Sequence, residues 1–303
     1  MEVSEYHSAK CKELVAVTKI IAEIGCNHMG NLDVAKEMIS VAARLCKVDA
    51  VKFQKRNSKE LLTSEQYDAP HPVPENSYGI TYGLHREALE FTAEQHRYLK
   101  KYAEDEGIIY SSSVWDLTSA KEIADINPEF IKIPSATNLN FELQYWLCQN
   151  YSGKIHLSTG MTTRDEIKSI VEFYEEQARA KDLVLYACTS GYPVSFDDMC
   201  LLEISTLKQV YGNRVGAIAF SGHHLGIAAD IAAMTLGAEW IERHFTLDRT
   251  LKGTDHAASL EPDGMRRLCR DIRNVGKAMR HKASDILDVE VVQRKKLKWL
   301  PQR

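Results

Sequence analysis

Residues 217–262 read AIAFSGHHLGIAADIAAMTLGAEWIERHFTLDRTLKGTDHAASLEP. Two short apolar runs, 217–220 and 240–241, each end in a polar burst: Ser221-Gly222-His223-His224, then Glu242-Arg243-His244. Between them, residues 227–236 are small and apolar with hardly a charge, which predicts a buried helix. Strand, polar tip, helix, strand, polar tip is a βαβ unit, and such units carry their chemistry at the carboxyl ends of the strands. Two histidines at neighbouring strand ends are therefore candidate metal ligands.

The same alternation extends over most of the chain. Strands are expected at 19–24, 50–54, 108–112, 130–133, 154–157, 183–188, 217–220 and 240–241. After the first strand, Val34, Ala35, Met38, Ile39, Ala42 and Leu45 recur at helical spacing. Thr92 with Gln95, and Thr163 with Glu166, are capping-box pairs that open helices, and Gly107 ends the first of these. A stretch up to about Phe91, with Pro70, Pro72 and Pro74, reads as a long irregular segment of the kind that forms lids or binding loops. Eight β/α units in a chain of this length predict a single-domain (β/α)8 barrel over residues 19–280. Residues 1–18 form an N-terminal extension and 281–303 a helix-poor tail in this reading. No GxGxxG follows the first strand, which disfavours a doubly wound sheet.

Composition narrows the function classes. The 303 residues are 44% hydrophobic with a net charge of −4 and a pI near 6.3, so no basic field favours nucleic acid. Arg294, Lys295, Lys296 and Lys298 read as a solvated tail. Seven cysteines without a CxxC pair, with Cys26, Cys46, Cys148, Cys188 and Cys269 in apolar or mixed elements, predict buried free thiols and a reducing compartment. No signal peptide is apparent and no apolar run approaches the ~20 residues that span a bilayer. A cytoplasmic protein with no membrane partner is expected.

In a barrel the carboxyl ends of the strands converge on one mouth. Here they supply Glu23, Lys52, Ser113, Lys132, Ser135, Ser158, Ser190, His223, His244 and Asp255. Lysines and hydroxyls donate to phosphate or carboxylate oxygens, and two neutral imidazoles hold a divalent metal while leaving positions open. Taken singly, each residue has a plainer reading: a serine in a turn, a glutamate paired with a lysine, a histidine satisfied in a core. His28 and His224 are read as loop-positioning residues. The functional reading rests on all the others falling at one end of eight elements.

Five motifs, IAEIGCNHMG (21–30), VKFQK (51–55), FSGH (220–223), ERHFT (242–246) and KGTDHAASLEP (252–262), resemble the sialic acid synthases. The likeness runs in the same order through most of residues 19–280. It implies a condensation of phosphoenolpyruvate with N-acetylmannosamine, or its 6-phosphate, and water, giving N-acetylneuraminate, or its 9-phosphate, and inorganic phosphate. The same chemistry on a legionaminate-, pseudaminate- or other nonulosonate-type precursor, or a non-catalytic sugar-binding barrel, are the alternatives. By resemblance, His223 and His244 are metal ligands, with Mn2+ expected first and Mg2+ or Co2+ as alternatives. Lys52, Ser113, Lys132, Ser135, Ser158, Ser190 and Ser221 hold phosphoenolpyruvate. Glu23 handles proton transfer, Asp255 lies beside sugar and metal, and Gln54 and Tyr192 contact the N-acylhexosamine-type sugar or the enolpyruvate. A homodimer is the family expectation. Three departures are expected: Ser190 where the family has Asn, Ser135-Ala136-Thr137-Asn138 without the family's acidic residue, and no C-terminal antifreeze-like domain before Arg303.

Overall fold

Strand β1 (Lys19–Gly25) is buried along almost its whole length, as a strand flanked on both faces must be. Seven more follow: β2 (Ala50–Lys55), β3 (Ile109–Val114), β4 (Phe130–Ile133), β5 (Lys154–Ser158), β6 (Leu183–Cys188), β7 (Ala217–Gly222) and β8 (Trp240–His244). Each pairs in parallel with the next, and β8 pairs with β1 to close the barrel. The expected (β/α)8 architecture is the observed one. It comes from a computed structural model, which describes residues 18–299.

Side chains of period two divide each strand between two cores. Ile20, Ala22, Ile24, Val51, Phe53, Ile131 and Ile133 face outward into the layer between sheet and helices. Ile21, Ala50, Phe130, Val184, Tyr186, Ala217, Ala219 and Trp240 fill the barrel interior as a separate cluster. The Phe130 and His156 rings stack with centroids 4.0 Å apart, and Trp240 meets both edge-on. This plug closes one end. One or two steps further along each strand, the same inward parity carries Glu23, Lys52, Ser113, Lys132, Ser158, Ser221, Glu242 and His244.

The last helix of the barrel, Pro262–Ala278, buries Met265, Leu268, Cys269 and Ile272, a helical stripe, against the turn that follows the first helix. No helix among the described residues is long and apolar enough to cross a membrane.

Four expectations need correction. The segment between β2 and β3 is not irregular: it folds as helices Ser58–Leu61, Ser64–Asp68 and Tyr82–Ala88, plus a 3-10 turn at Pro74–Asn76. Asn57, Thr63 and Thr81 cap them through side-chain oxygens, local signals that the proline content masked. Strand β3 runs to Val114, so Ser113, expected just past the strand's end, lies inside it. Leu45 does not join the apolar face of the first helix and is 51% exposed. After Leu32–Ser40 the backbone widens to a π-helix at Val41–Cys46, which rotates the stripe and buries Cys46 instead. The tail carries a helix, Asp288–Leu297, with no buried residue. The predicted N-terminal extension lies outside the described residues up to position 17.

The free thiols divide as well. Cys46, Cys148 and Cys269 are buried as expected, whereas Cys26 and Cys188 are half-buried and line the cavity at the barrel mouth.

Candidate active site

That cavity has a volume of about 470 Å³ and is walled by residues from every strand end. All thirteen residues singled out from the sequence line it: Glu23, Lys52, Gln54, Ser113, Lys132, Ser135, Ser158, Ser190, Tyr192, Ser221, His223, His244 and Asp255. His28 and His224 do not. His28 stacks on Phe91 with centroids 4.1 Å apart, outside the barrel.

The strand register sets the contacts. Glu23 stands opposite Lys52 on one side and His244 on the other, Ser113 opposite Lys132, and Ser221 opposite Glu242. Lys52 Nζ lies 2.5 Å from Glu23 Oε2 and donates to Ser113 Oγ at 2.6 Å. Lys132 Nζ donates to Glu242 Oε2 at 3.1 Å, and Lys52 approaches the same oxygen at 3.8 Å. Ser221 Oγ donates to Glu242 Oε1 at 3.2 Å, and Gln54 Nε2 to Glu23 Oε1 at 3.0 Å. Two ammonium groups and two carboxylates thus form a closed, nearly dry tetrad. A charge in such a place persists only because its partners are there.

The two carboxylates are not equivalent. Burial pushes Glu23 above the ordinary carboxylate range, against the pull of Lys52. Burial acts on Glu242 too, but Lys132 and Lys52 outweigh it and hold this carboxyl at about 2. Lys132 is itself drawn below its ordinary value, by burial first and against the attraction of Glu242. Its ammonium sits 3.5 Å over the Tyr186 ring, a cation–π contact that offsets part of the lost hydration. Glu23 is thus the group suited to carrying a proton, and Glu242 is a permanent anion.

Glu242 was not among the residues chosen from sequence. The signal was present: in Glu242-Arg243-His244, a strand places the first and third side chains on one face. Arg243 takes the other face. It is fully buried and binds Asp230 Oδ2 at 2.5 Å, and the carbonyls of Gly226 at 2.8 Å and His224 at 2.5 Å. That clamp fixes the turn after β7 and with it His223.

A serine pocket adjoins the tetrad. Gly160 N–H donates to Ser135 Oγ at 3.0 Å. A Cβ on Gly160 would come within 2.4 Å of Ser190 Oγ and 2.7 Å of Ser135 Oγ, so only glycine lets both hydroxyls lie this close to the backbone here. Ser190, where asparagine was expected, therefore faces its neighbours with a shorter side chain.

The histidine pair sits above. The His223 and His244 rings have centroids 5.4 Å apart, with the Tyr192 ring 4.3 Å and 5.9 Å from them. His223 Nδ1 bonds the Thr189 carbonyl at 3.0 Å, which places its hydrogen there and leaves Nε2 as a lone-pair donor. Burial, and then His244, lower the His223 pKa to about 4, so the ring is neutral near pH 7. His244 Nδ1 is buried without a hydrogen-bond partner, and Asp255 Oδ2 lies 3.8 Å from it. Among the described residues no three His, Cys, Asp or Glu side chains converge closely enough to enclose an ion. What the residues do fit is an open site, with two imidazoles on one side and positions left for substrate or water.

The sequence pattern of the NeuB family matches residues 38–284. The chain is 36% identical over 278 residues to the human N-acetylneuraminate-9-phosphate synthase, covering 92% of this chain and 76% of that protein. It is 34% identical to an N,N'-diacetyllegionaminic acid synthase of Campylobacter jejuni, over 86% of this chain and 77% of that one. Its fold is similar to that of a sialic acid synthetase from Leptospira borgpetersenii, with a TM-score of 0.77, 28% identity and 93% of both chains covered.

Proposed function

The chain belongs to the NeuB family, and from that premise we propose that it joins phosphoenolpyruvate to an N-acylmannosamine in its open-chain aldehyde form. With one water the products are an N-acylneuraminate and inorganic phosphate. The observation that carries this reading is the buried pair Lys52 and Lys132, 2% and 1% exposed, set in a ring of hydroxyls beneath two histidines.

In this reading the enolpyruvate occupies the floor. Lys52, Lys132 and the Ser113, Ser135, Ser158, Ser190 and Ser221 hydroxyls donate to its carboxylate and phosphate oxygens. The methylene carbon of the enol attacks the aldehyde carbon of the sugar, forming the new C–C bond and leaving an oxocarbenium at the enol's second carbon. Glu242, held ionised, lies close to that positive charge and stabilises it electrostatically. Water adds to the oxocarbenium and gives up a proton, for which Glu23 is the acceptor because its raised pKa makes it the stronger base of the two. Phosphate then departs as the bond between its bridging oxygen and the tetrahedral carbon breaks, the adduct's hydroxyl gives up its proton to leave the ketone, and the two protons of the water end on the former aldehyde oxygen and on the phosphate.

Gln54 fixes Glu23, and Tyr192 and Asp255 border the space left for the sugar. His223 and His244 would hold a divalent metal, with Mn2+ the ion of choice. When bound it acts as a Lewis acid that polarises the aldehyde.

The test is phosphate release from phosphoenolpyruvate and Mn2+ with a panel of aldoses that includes N-acetylmannosamine, its 6-phosphate and a legionaminate-type precursor. Release with an N-acylmannosamine is the expected result. Silence across the panel, with substrates bound, would leave only a sugar-binding barrel.

A further inference from the structure

The two lysines of the floor are held in different ways. Lys52 Nζ is fully engaged: Glu23 Oε2 lies 2.5 Å away, Ser113 Oγ 2.6 Å and Glu242 Oε2 3.8 Å. Among the described residues, Lys132 Nζ donates to one acceptor only, Glu242 Oε2 at 3.1 Å. An ammonium carries three hydrogens, so two of them remain to be placed. The other close neighbour of Lys132 Nζ is the Tyr186 ring, whose centroid is 3.5 Å away. Tyr186 is fully buried and does not border the cavity, so any action it has on a bound anion passes through the lysine.

This ring is itself braced. Tyr186 Oη lies 2.7 Å from His156 Nδ1, and His156 stacks on Phe130 with centroids 4.0 Å apart. Thr159 pins the backbone, donating to the Tyr186 carbonyl through its N–H at 3.1 Å and its hydroxyl at 2.9 Å. Burial, and then Lys132, push the His156 pKa well below its ordinary value, so the imidazole is neutral. His156 Nε2 is buried without a partner, and the Tyr186 hydroxyl has no second partner among the described residues. Were Nδ1 the donor, the Tyr186 hydrogen and the Nε2 lone pair would both be stranded; with the hydroxyl as donor, only the Nε2 hydrogen is. The hydroxyl therefore donates to Nδ1. A phenol that shares its hydrogen in this way gains electron density in its ring, and the face turned to Lys132 attracts the cation more strongly.

A ring does here what another carboxylate could not. A carboxylate would take a hydrogen of the ammonium, cancel its charge and repel an incoming anion. A π face attracts the ammonium while carrying no net charge, so the lysine stays available to an oxyanion. Strand register builds the arrangement: Lys132 stands opposite His156, and Ser158 opposite Tyr186, on neighbouring strands.

We propose that Tyr186, braced by His156, is a positioning residue for Lys132: its π face seats the ammonium so that a hydrogen is presented to the anion on the cavity floor. The proposal rests on the synthase reading, in which that anion is phosphoenolpyruvate.

Titration calorimetry of the Mn2+-loaded protein with phosphoenolpyruvate, and separately with inorganic phosphate, would compare the native chain with Tyr186→Phe, which keeps the face, and Tyr186→Leu, which removes it. Tyr186→Leu should weaken both anions on the order of 10-fold, the scale of a desolvated cation–π contact. Tyr186→Phe, which loses only the polarising hydrogen bond, should stay within about threefold of native. In phosphate release the KM for the aldose should not move. Tyr186→Phe made with two and then three ring fluorines at this position alone drains the face of electron density at nearly constant shape, and should weaken binding stepwise. Should Tyr186→Leu fail to fold, that series decides. Equal anion affinity in all variants, a loss in Tyr186→Phe as deep as in Tyr186→Leu, or no response to fluorination overturns the seat. So does a parallel rise in the KM values of both substrates, the mark of a merely structural loss. Phosphate binding that falls in the expected order, with no binding of phosphoenolpyruvate, upholds the seat and refutes the synthase reading. Binding of neither anion refutes both.

Discussion

Lys132 on β4 and Glu242 on β8 come from strands four places apart in an eight-stranded ring, and their side chains meet across its centre at 3.1 Å. Each is the other's counter-ion in a place that water scarcely reaches, so neither can be removed alone without consequence. Lys132→Met should lower stability by about 3–5 kcal/mol, the scale for orphaning a buried ion. The double variant Lys132→Met with Glu242→Gln should recover much of it. Denaturant titration of the two singles and the double reads the coupling, and simple additivity would contradict a shared pair.

Glu242→Gln keeps the shape of the side chain and removes its charge. If this carboxylate stabilises positive charge on the reacting carbon, kcat should fall on the order of 10²-fold. The KM for phosphoenolpyruvate should not rise, because both lysines are then freer to bind an anion. A raised KM with unchanged kcat would mark Glu242 as a binding group only.

His244→Ala removes one imidazole of the pair whose rings lie 5.4 Å apart. Titration calorimetry with Mn2+ should show metal binding lost while the circular dichroism spectrum stays native. Chelation of the native enzyme should abolish phosphate release, and added Mn2+ should restore it. Full turnover in the chelated enzyme would place the metal outside the chemistry.

His28 and His96 are buried neutral rings. Burial, assisted by Arg56 for His28 and Lys55 for His96, lowers each pKa from 6.5 to about 3. Between these values the unfolded chain takes up protons that the folded chain does not, so stability must fall as pH falls from 6.5. The slope is up to about 1.4 kcal/mol per pH unit for each ring. Denaturation midpoints at pH 7, 6 and 5, above most of the carboxylate titration, should decline in step; a flat profile would mean that these rings charge in place.

Much of this was legible in the sequence, for definite reasons. Strands buried on both faces read as apolar runs, and their polar ends mark the mouth, so Glu23, Lys52, Lys132, His223 and His244 could be chosen before any contact was known. Glu242 escaped because it sits inside a strand whose apolar run seemed to stop at Ile241; the strand continues to His244. Arg86 and His85, which also line the cavity, escaped because they belong to a short capped helix, Tyr82–Ala88, in a segment whose prolines suggest none, and His71 because it lies in the loop before that helix. The displacement of Leu45 by a π-turn has no sequence signal at all, since it depends on the packing of Pro262–Ala278 against that turn.

The plug formed by Phe130, His156, Tyr186 and Trp240 makes the barrel a blind well. Whatever occupies its floor must enter and leave by the rim, where Tyr192 is 55% and Met161 72% exposed, whereas Lys132 at the bottom is 1% exposed. Stacked as the proposed reading places them, the two reactants share one entrance to a cavity of about 470 Å³. Under the proposed reading, the enolpyruvate therefore has to load before the sugar, and the new keto acid has to clear the rim before the phosphate beneath it escapes. The geometry imposes an ordered sequence of arrivals and departures, with no moving gate needed to enforce it.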